Sequence, residues 1–211
     1  LTLARLVRGG RPPAAAAGQI EAAILDHATA AFLRDGYAAS SIEQIARKAR
    51  TAKRTLYARW PDKAALFRAV LERMLGRWVA AEPSDDAPLG APEPTLLAMA
   101  HRVLAVALTP EALALHRLLI AESARFPELG AMLHGAVAEA GVARIATLLD
   151  RFVAAGTLPP LDSRFAAEAF LHLVLRGPQL RALGLAPPFS AAELDAWASN
   201  AVRLFLRGVG A

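Results

Sequence analysis

Residues 19–66 read QIEAAILDHATAAFLRDGYAASSIEQIARKARTAKRTLYARWPDKAAL, and the order of elements in this stretch decides the fold. Ile20, Ala23, Ile24, His27, Ala28, Ala31 and Phe32 recur at helical steps, so they share one face of a first α-helix running from about Ala17 to Asp35. Gly36 is the expected left-handed stop of that helix. Ser41 with Gln44 three residues on is a capping box that opens a second helix, whose inner side is Ile42, Ile45, Ala46 and Ala49. A break follows near Arg50-Thr51. Thr51 is expected to cap a third helix in which Leu56 and Trp60 turn inward. Asp62 can cap a fourth, which runs through Leu66, Val70, Met74 and Trp78 to about Ala81. Three short helices, the last basic and bearing Tyr57, are the layout of a helix-turn-helix that lays its final helix in the DNA major groove.

Charge supports this placement. Residues 1–80 hold 14 Lys and Arg against 6 Asp and Glu, whereas residues 81–211 hold 10 against 13. The first part therefore has a net charge of +8 and the second −3. All three lysines, Lys48, Lys53 and Lys63, lie in the first part. A basic head on a mildly acidic body suits phosphate binding by the head; the plainer reading is a solvated charged face. On the third helix Lys53, Arg54 and Arg59 can reach guanine O6 and N7. Ala52 or Ala58 can meet a thymine methyl group. Lys63 and the backbone N–H groups at the start of the fourth helix can hold a phosphate, as can Ser40 and Ser41 at the second. Tyr57 could instead be a core residue and Arg54 a solvated one.

Outside this stretch the pattern is also all-helical. Residues 1–18 show no usable periodicity and are expected to form a mobile basic arm through Arg5, Arg8 and Arg11. Residues 82–94 (EPSDDAPLGAPEP) read as a linker. Helices are expected over Pro94–Leu108, Pro110–Arg125 and Pro127–Gly156, the last broken near Gly135 or Gly141. Two more follow, over Asp162–Leu183 and from a cap at Ser190 to about Arg207, with Gly208 as its stop. No apolar run reaches the ~18 residues of a membrane span. Leu1–Val7 is too short for a signal peptide. There is no cysteine, which removes disulfides and thiolate metal sites. A cytoplasmic location fits these features.

The stretch resembles the TetR family of transcriptional regulators. Ala28, Phe32, Gly36, Tyr37, Ser41, Ile42, Ile45, Ala46, Ala49, Thr55, Leu56, Tyr57, Trp60, Lys63 and Leu66 carry the likeness without a gap. The departures are Arg50-Thr51-Ala52 where the family usually has Gly-Val-Ser, and Arg59-Trp60 where it usually has His-Phe or Tyr-Phe. Residues 108–211 are similar to the AefR-like C-terminal domain of some members. The resemblance implies an all-α fold with a helix-turn-helix domain over 19–65 and an effector-binding and dimerisation domain over 66–211. It implies that Thr55 and Tyr57 grip phosphate or the groove edge. It further implies an effector cavity among the fourth to eighth helices, to which Met74, Trp78, Met99, Leu119, Phe126, Met132 and Phe170 would contribute apolar walls and Arg102, His116 and Ser123 polar groups. For each apolar residue, simple core packing is the other reading.

Apolar positions Leu171, Leu175, Trp197, Ala201 and Leu204 fall near helical steps on the last two helices, and Gly177 and Ala201 are small enough for close approach. These are expected to pair with their copies in a homodimer. His101, His116, His134 and His172 lack i,i+3 or i,i+4 spacing to one another, so neither a metal nor another cofactor is expected. No phosphate loop, nucleophile elbow or paired-carboxylate site appears, which argues against an enzyme. The expected partners are palindromic double-stranded DNA, a small hydrophobic or aromatic effector and a second copy of the chain, with no membrane. The expected activity is regulation of transcription, as a repressor released by its effector. Two alternatives are a DNA-binding protein whose C-terminal domain only dimerises or docks a protein, and an all-helical metal sensor or enzyme.

Overall fold

A computed structural model describes residues 14–80, 89–132 and 139–210. Among these, ten helices are formed and no strand. They are α1 (Ala14–Ala39), α2 (Ile42–Lys48), α3 (Lys53–Arg59), α4 (Lys63–Ala80), α5 (Pro92–Ala107), α6 (Pro110–Ser123), α7 (Pro127–Met132), α8 (Glu139–Ala154), α9 (Ser163–Ala182) and α10 (Ala191–Gly208). The chain divides into two compact units, Leu1–Val70 and Leu71–Ala211. The boundary lies inside α4. Of the arm expected over 1–18, residues 14–18 are helical; residues 1–13, and 81–88 of the linker region, lie outside the described residues.

The N-terminal unit is organised by three aromatic rings. Phe32 stacks on Tyr37 with centroids 5.9 Å apart, and Phe67 meets both edge-on at 5.0 and 5.3 Å. Such offset and edge contacts match ring quadrupoles and add to the burial of apolar area. Leu56, Trp60, Leu66 and Ile45 are buried in the same unit. Gly36 has the expected positive φ (82°), but its ψ of 169° lies outside the left-handed helical well, and helix resumes beyond it to Ala39. It is therefore a kink, not a terminal cap. Two side chains satisfy carbonyls around it. Ser40 Oγ donates to Gly36 O (2.6 Å) and Lys63 Nζ donates to Ala38 O (2.9 Å).

The turn between α2 and α3 departs from expectation. Ser41 does accept from Gln44 N–H, at 3.4 Å, and opens α2. Thr51, however, does not cap α3; the N-cap is Ala52, extended at φ −77° and ψ 143°, with no side-chain cap bond. The reason is that Thr51 is already part of the end of α2. Its N–H donates to Ala46 O (3.0 Å) and the Arg50 N–H donates to Arg47 O (3.1 Å), with Arg50 at φ 51°. Together these bonds are a Schellman motif. The same motif ends α8 at Gly156 and α9 at Gly184, where glycine takes the positive φ without strain. On α2 an arginine occupies that position.

In the C-terminal unit α9 packs on α8, α10 and α5, and α10 also packs on α5. Their inward faces form one core that includes Leu96, Leu104, Leu149, Phe152, Phe170 and Phe205. Thr109 caps α6 by accepting from Ala112 N–H, Asp162 caps α9 by accepting from Phe165 N–H, and Ser190 and Glu193 form a full capping box on α10. The segment expected over 127–156, with a break near Gly135 or Gly141, holds α7 and α8; the interval 133–138, with Gly135, is outside the described residues, and Gly141 is helical. Helix α10 passes through Gly208, and the positive φ comes at Gly210. Pro178 lies inside α9. It has no N–H to give to the carbonyl of residue 174. The Trp197 indole N–H supplies that bond from α10, donating to Val174 O at 3.0 Å and Leu173 O at 3.1 Å. Among the described residues no single helix is long and apolar enough to cross a membrane; α5 and α6 pass by composition only as a pair bent by 70°. Leu96, Met99, Ala100 and Leu104 of α5 are buried in the protein core.

Candidate nucleic-acid interface

Helix α3 is short, and its two faces differ completely. Leu56 and Trp60 are buried, and every other residue from Ala52 to Arg59 is exposed. Lys53, Arg54, Thr55, Tyr57, Ala58 and Arg59 therefore project from one anchored scaffold. Tyr57 is 39% exposed, so it is not the core residue that it could have been. The Lys53 ammonium lies 5.8 Å from its ring centroid.

The cations of this face differ in their partners. Lys53 Nζ pairs with Glu43 Oε1 of α2 at 2.5 Å, and Arg59 Nη2 with Glu21 Oε1 of α1 at 3.1 Å. The contact with Lys53 holds the Glu43 carboxyl below the usual carboxylate range and raises the Lys53 ammonium. Among the described residues Arg54 has no side-chain partner. Neither Glu21 nor Glu43 was anticipated as part of this surface; Glu43 stands just before the basic run Arg47-Lys48-Ala49-Arg50, and nothing near Glu21 marks it.

Three residues expected to contact phosphate have partners within the chain. Ser40 is only 5% exposed and its hydroxyl is committed to Gly36 O, so it is a structural residue. Ser41 is engaged as the α2 cap. Lys63 is half-buried, bound to Ala38 O and 4.9 Å over the Tyr37 ring, which ties α4 to the end of α1. Asp62 Oδ1 accepts from Ala65 N–H (2.7 Å) at the start of α4, as anticipated.

In the C-terminal unit, Met74, Met99, Leu119 and Phe170 are buried. Met99 and Phe170 belong to the hydrophobic core, where Phe170 meets Phe205 edge-on at 5.2 Å. Arg102, His116, Ser123 and Phe126 are half-buried. Arg102 Nη2 approaches Met99 Sδ at 3.9 Å, Ser123 Oγ donates to Ile120 O at 3.1 Å, and the Arg125 guanidinium lies 5.3 Å over Phe126. Burial, and then the Arg176 charge, push the His116 imidazole below its ordinary pKa. The side chains of Trp78 and Met132 lie outside the described residues. His101 Nε2 is 2.9 Å from Asp195 Oδ1, and among the described residues no three His, Asp or Glu side chains gather as metal ligands would.

The expected dimer residues separate into two groups. Ala201 is buried in the chain's own core. Gly177 allows a close approach, but to Trp197 of the same chain. Leu204 is 60% exposed, and Leu171 and Leu175 are half-buried against the core.

Residues 24–70 match the model of the TetR family of bacterial regulatory proteins, and residues 94–210 that of the AefR-like transcriptional repressor C-terminal domain. No curated protein matches the chain in sequence. A TetR-family regulator from Mesorhizobium loti MAFF303099 is 29% identical, with a TM-score of 0.76 over 92% of this chain and 98% of that one. The flavonoid-responsive regulator FrrA is also 29% identical, with a TM-score of 0.76 over 90% and 97% of the two chains. A TetR regulator from Agrobacterium tumefaciens is 26% identical, with a TM-score of 0.72 over 89% and 93%. The anchored basic α3, the all-helical second unit and these matches over both parts make the chain a member of the TetR family of transcriptional regulators, with an AefR-like C-terminal domain.

Proposed function

We propose that the protein acts as a homodimeric repressor that leaves a palindromic operator when a small hydrophobic or aromatic effector binds its C-terminal unit. The observation that carries the DNA-binding part is the division of α3 into a buried pair, Leu56 and Trp60, and an exposed basic face. Burial of the pair fixes the helix, so the exposed side chains reach a groove in one register. Arg54 suits bidentate contact with guanine, Ala52 suits a thymine methyl, and Thr55 and Tyr57 suit the flanking phosphates. Two copies would set their α3 helices about 34–36 Å apart, one turn of DNA.

The exposed Leu204, with Phe165 (70% exposed) and the half-buried Leu171 and Leu175, is the apolar surface on α9 and α10 that suits a second copy. For the effector, the likeness to a flavonoid-responsive regulator makes flat aromatic polyphenols the first class to test. His116 suits a neutral ligand: burial and then the Arg176 charge favour its uncharged imidazole, which can hydrogen-bond a phenolic hydroxyl. Ser123, Phe126 and Leu119 lie on or just after the same helix. Because α4 runs through the boundary of the two units, a shift of its C-terminal half on ligand binding is carried along the helix to the head. By linkage, DNA must weaken effector binding by the factor with which the effector weakens DNA binding.

Selection of duplexes from a random DNA library by the purified protein tests this reading. An enriched palindrome is expected, and Arg54→Ala should weaken its binding by about 5- to 150-fold, the range of one lost bidentate base contact. Failure to enrich any sequence refutes sequence-specific binding. Titration with flavones then tests the effector. If neither these nor other apolar molecules release the operator, the C-terminal unit serves dimerisation or protein docking alone.

A further inference from the structure

We infer that Glu43 and Glu21 act as built-in stand-ins for DNA phosphate, holding Lys53 and Arg59 on the protein surface until a duplex displaces them, so that Arg54 is the residue of α3 that sets base specificity. This rests on the reading of α3 as the groove-binding helix. The geometry comes from three helices of one unit. Glu43 of α2 takes Lys53 at 2.5 Å, Glu21 of α1 takes Arg59 at 3.1 Å, and Arg54 alone of these three cations has no side-chain partner among the described residues. A carboxylate oxygen offers an ammonium or guanidinium the same charge-assisted hydrogen bond as a phosphate oxygen. Both pairs are largely exposed. Exposed pairs are weak and exchange readily, so a phosphate array can outcompete them.

The consequence is selectivity against non-specific DNA. A cation that moves from a carboxylate to a phosphate releases one DNA counterion, but the abandoned carboxylate takes up a cation from solution. Net ion release, which drives sequence-independent affinity, is thereby reduced. Arg54 has no such exchange to make, so its contacts with a base edge are gained without losing an internal pair. Glu43 and Glu21 are then positioning residues: they touch no DNA in this account, but they set how Lys53 and Arg59 are presented and how much non-specific binding they generate.

The test compares wild type, Glu43→Gln, Glu21→Gln, Lys53→Ala, the Glu43→Gln/Lys53→Ala double variant and Arg54→Lys. Each is titrated with a mixed-sequence duplex and with the duplex selected by the wild-type protein, over a range of salt. Glu43→Gln is expected to bind the mixed-sequence duplex about two- to fivefold more tightly at low salt. Its log K against log salt should steepen by up to about one unit. Both gains should vanish in the double variant, because Lys53 is their cause. Glu21→Gln should act in the same direction through Arg59. Arg54→Lys keeps the charge but loses the planar fork, so it should lose preference for the selected duplex while its mixed-sequence binding stays near wild type. Unchanged slope and affinity in both glutamine variants would overturn the stand-in role. A glutamine variant that binds the mixed-sequence duplex more weakly would also overturn it, since the acid would then be supporting the interface. If wild type binds neither duplex, the α3 reading itself fails, which is a different result from wild-type binding with unresponsive glutamates.

Discussion

Gly177→Ala is a stringent probe of how α9 and α10 are joined. A Cβ at position 177 would lie 2.6 Å from Trp197 Cζ2, 2.7 Å from Cη2 and 3.2 Å from Cε2. Ordinary carbon contacts begin near 3.5 Å, so the ring must retreat by most of an ångström. It is poorly placed to do so. Its Nε1–H is held by the carbonyls of Leu173 and Val174, and Phe189 lies against it with centroids 5.5 Å apart. Moving it weakens the bond that replaces the N–H missing at Pro178. Overpacking of this kind costs about 1–3 kcal/mol, and a weakened hydrogen bond adds about 0.5–1.5 kcal/mol. Replacing glycine by alanine inside a helix returns about 1 kcal/mol. A net loss of roughly 2 kcal/mol is expected, or a fall in Tm of about 4–8 °C for a chain of this size. Gly141→Ala is the matched control. Its Cβ would meet only Leu171 Cδ1, at an unstrained 3.7 Å, so it should stabilise by about 0.5–1 kcal/mol. Thermal unfolding followed by circular dichroism reads both. Because the clash is with the ring, Gly177→Ala should do no further harm once Trp197→Leu has removed it. A Gly177→Ala variant as stable as wild type, or equal harm with and without the tryptophan, would refute the clash.

Three other perturbations follow from the structure. Arg50→Gly should stabilise the N-terminal unit by about 0.5–1 kcal/mol, because relief of a left-handed residue outweighs the added freedom of the unfolded chain; a higher urea midpoint checks this, and destabilisation would show that the Arg50 side chain matters more than its backbone. Phe67→Ala should cost about 3–5 kcal/mol by removing the ring shared by Phe32 and Tyr37, and should lower helicity and abolish duplex binding together; a variant that still bound DNA at wild-type affinity would contradict the role given to that cluster. His116 is held below its ordinary pKa when folded, so the unfolded chain binds its proton first as pH falls. Its stabilising contribution is complete above about pH 6.5 and is lost as pH drops below that value. Replacing it with Gln should flatten the Tm profile between neutral pH and about pH 5, and an identical slope in the variant would rule the histidine out as the source.

Much of the helical layout was legible in the order of the residues because its determinants are local. Ser41, Asp62, Asp162 and Ser190 cap helices with bonds that reach only three residues along the chain, and apolar spacing alone turns Leu56 and Trp60 inward. The Schellman turn with arginine at its left-handed position was missed because local preference places glycine there; the bonds of Thr51 and Arg50 back to α2 hold it instead.

What depends on partners distant in sequence was not legible. A half-buried and a buried serine look alike as neighbours, and only the fold showed that Ser40 closes the Gly36 kink while Ser41 caps α2. Apolar periodicity marks a residue as inward-facing without saying what it faces. Ala201 thus belongs to the chain's own core, and Gly177 makes room for Trp197 twenty residues on. The pairing of Lys53 with Glu43 and Arg59 with Glu21 has the same origin. Charge composition located a basic head, but Coulomb attraction and hydrogen bonding act over a few ångströms, so which cations are restrained and which is open was decided only when α1, α2 and α3 packed together.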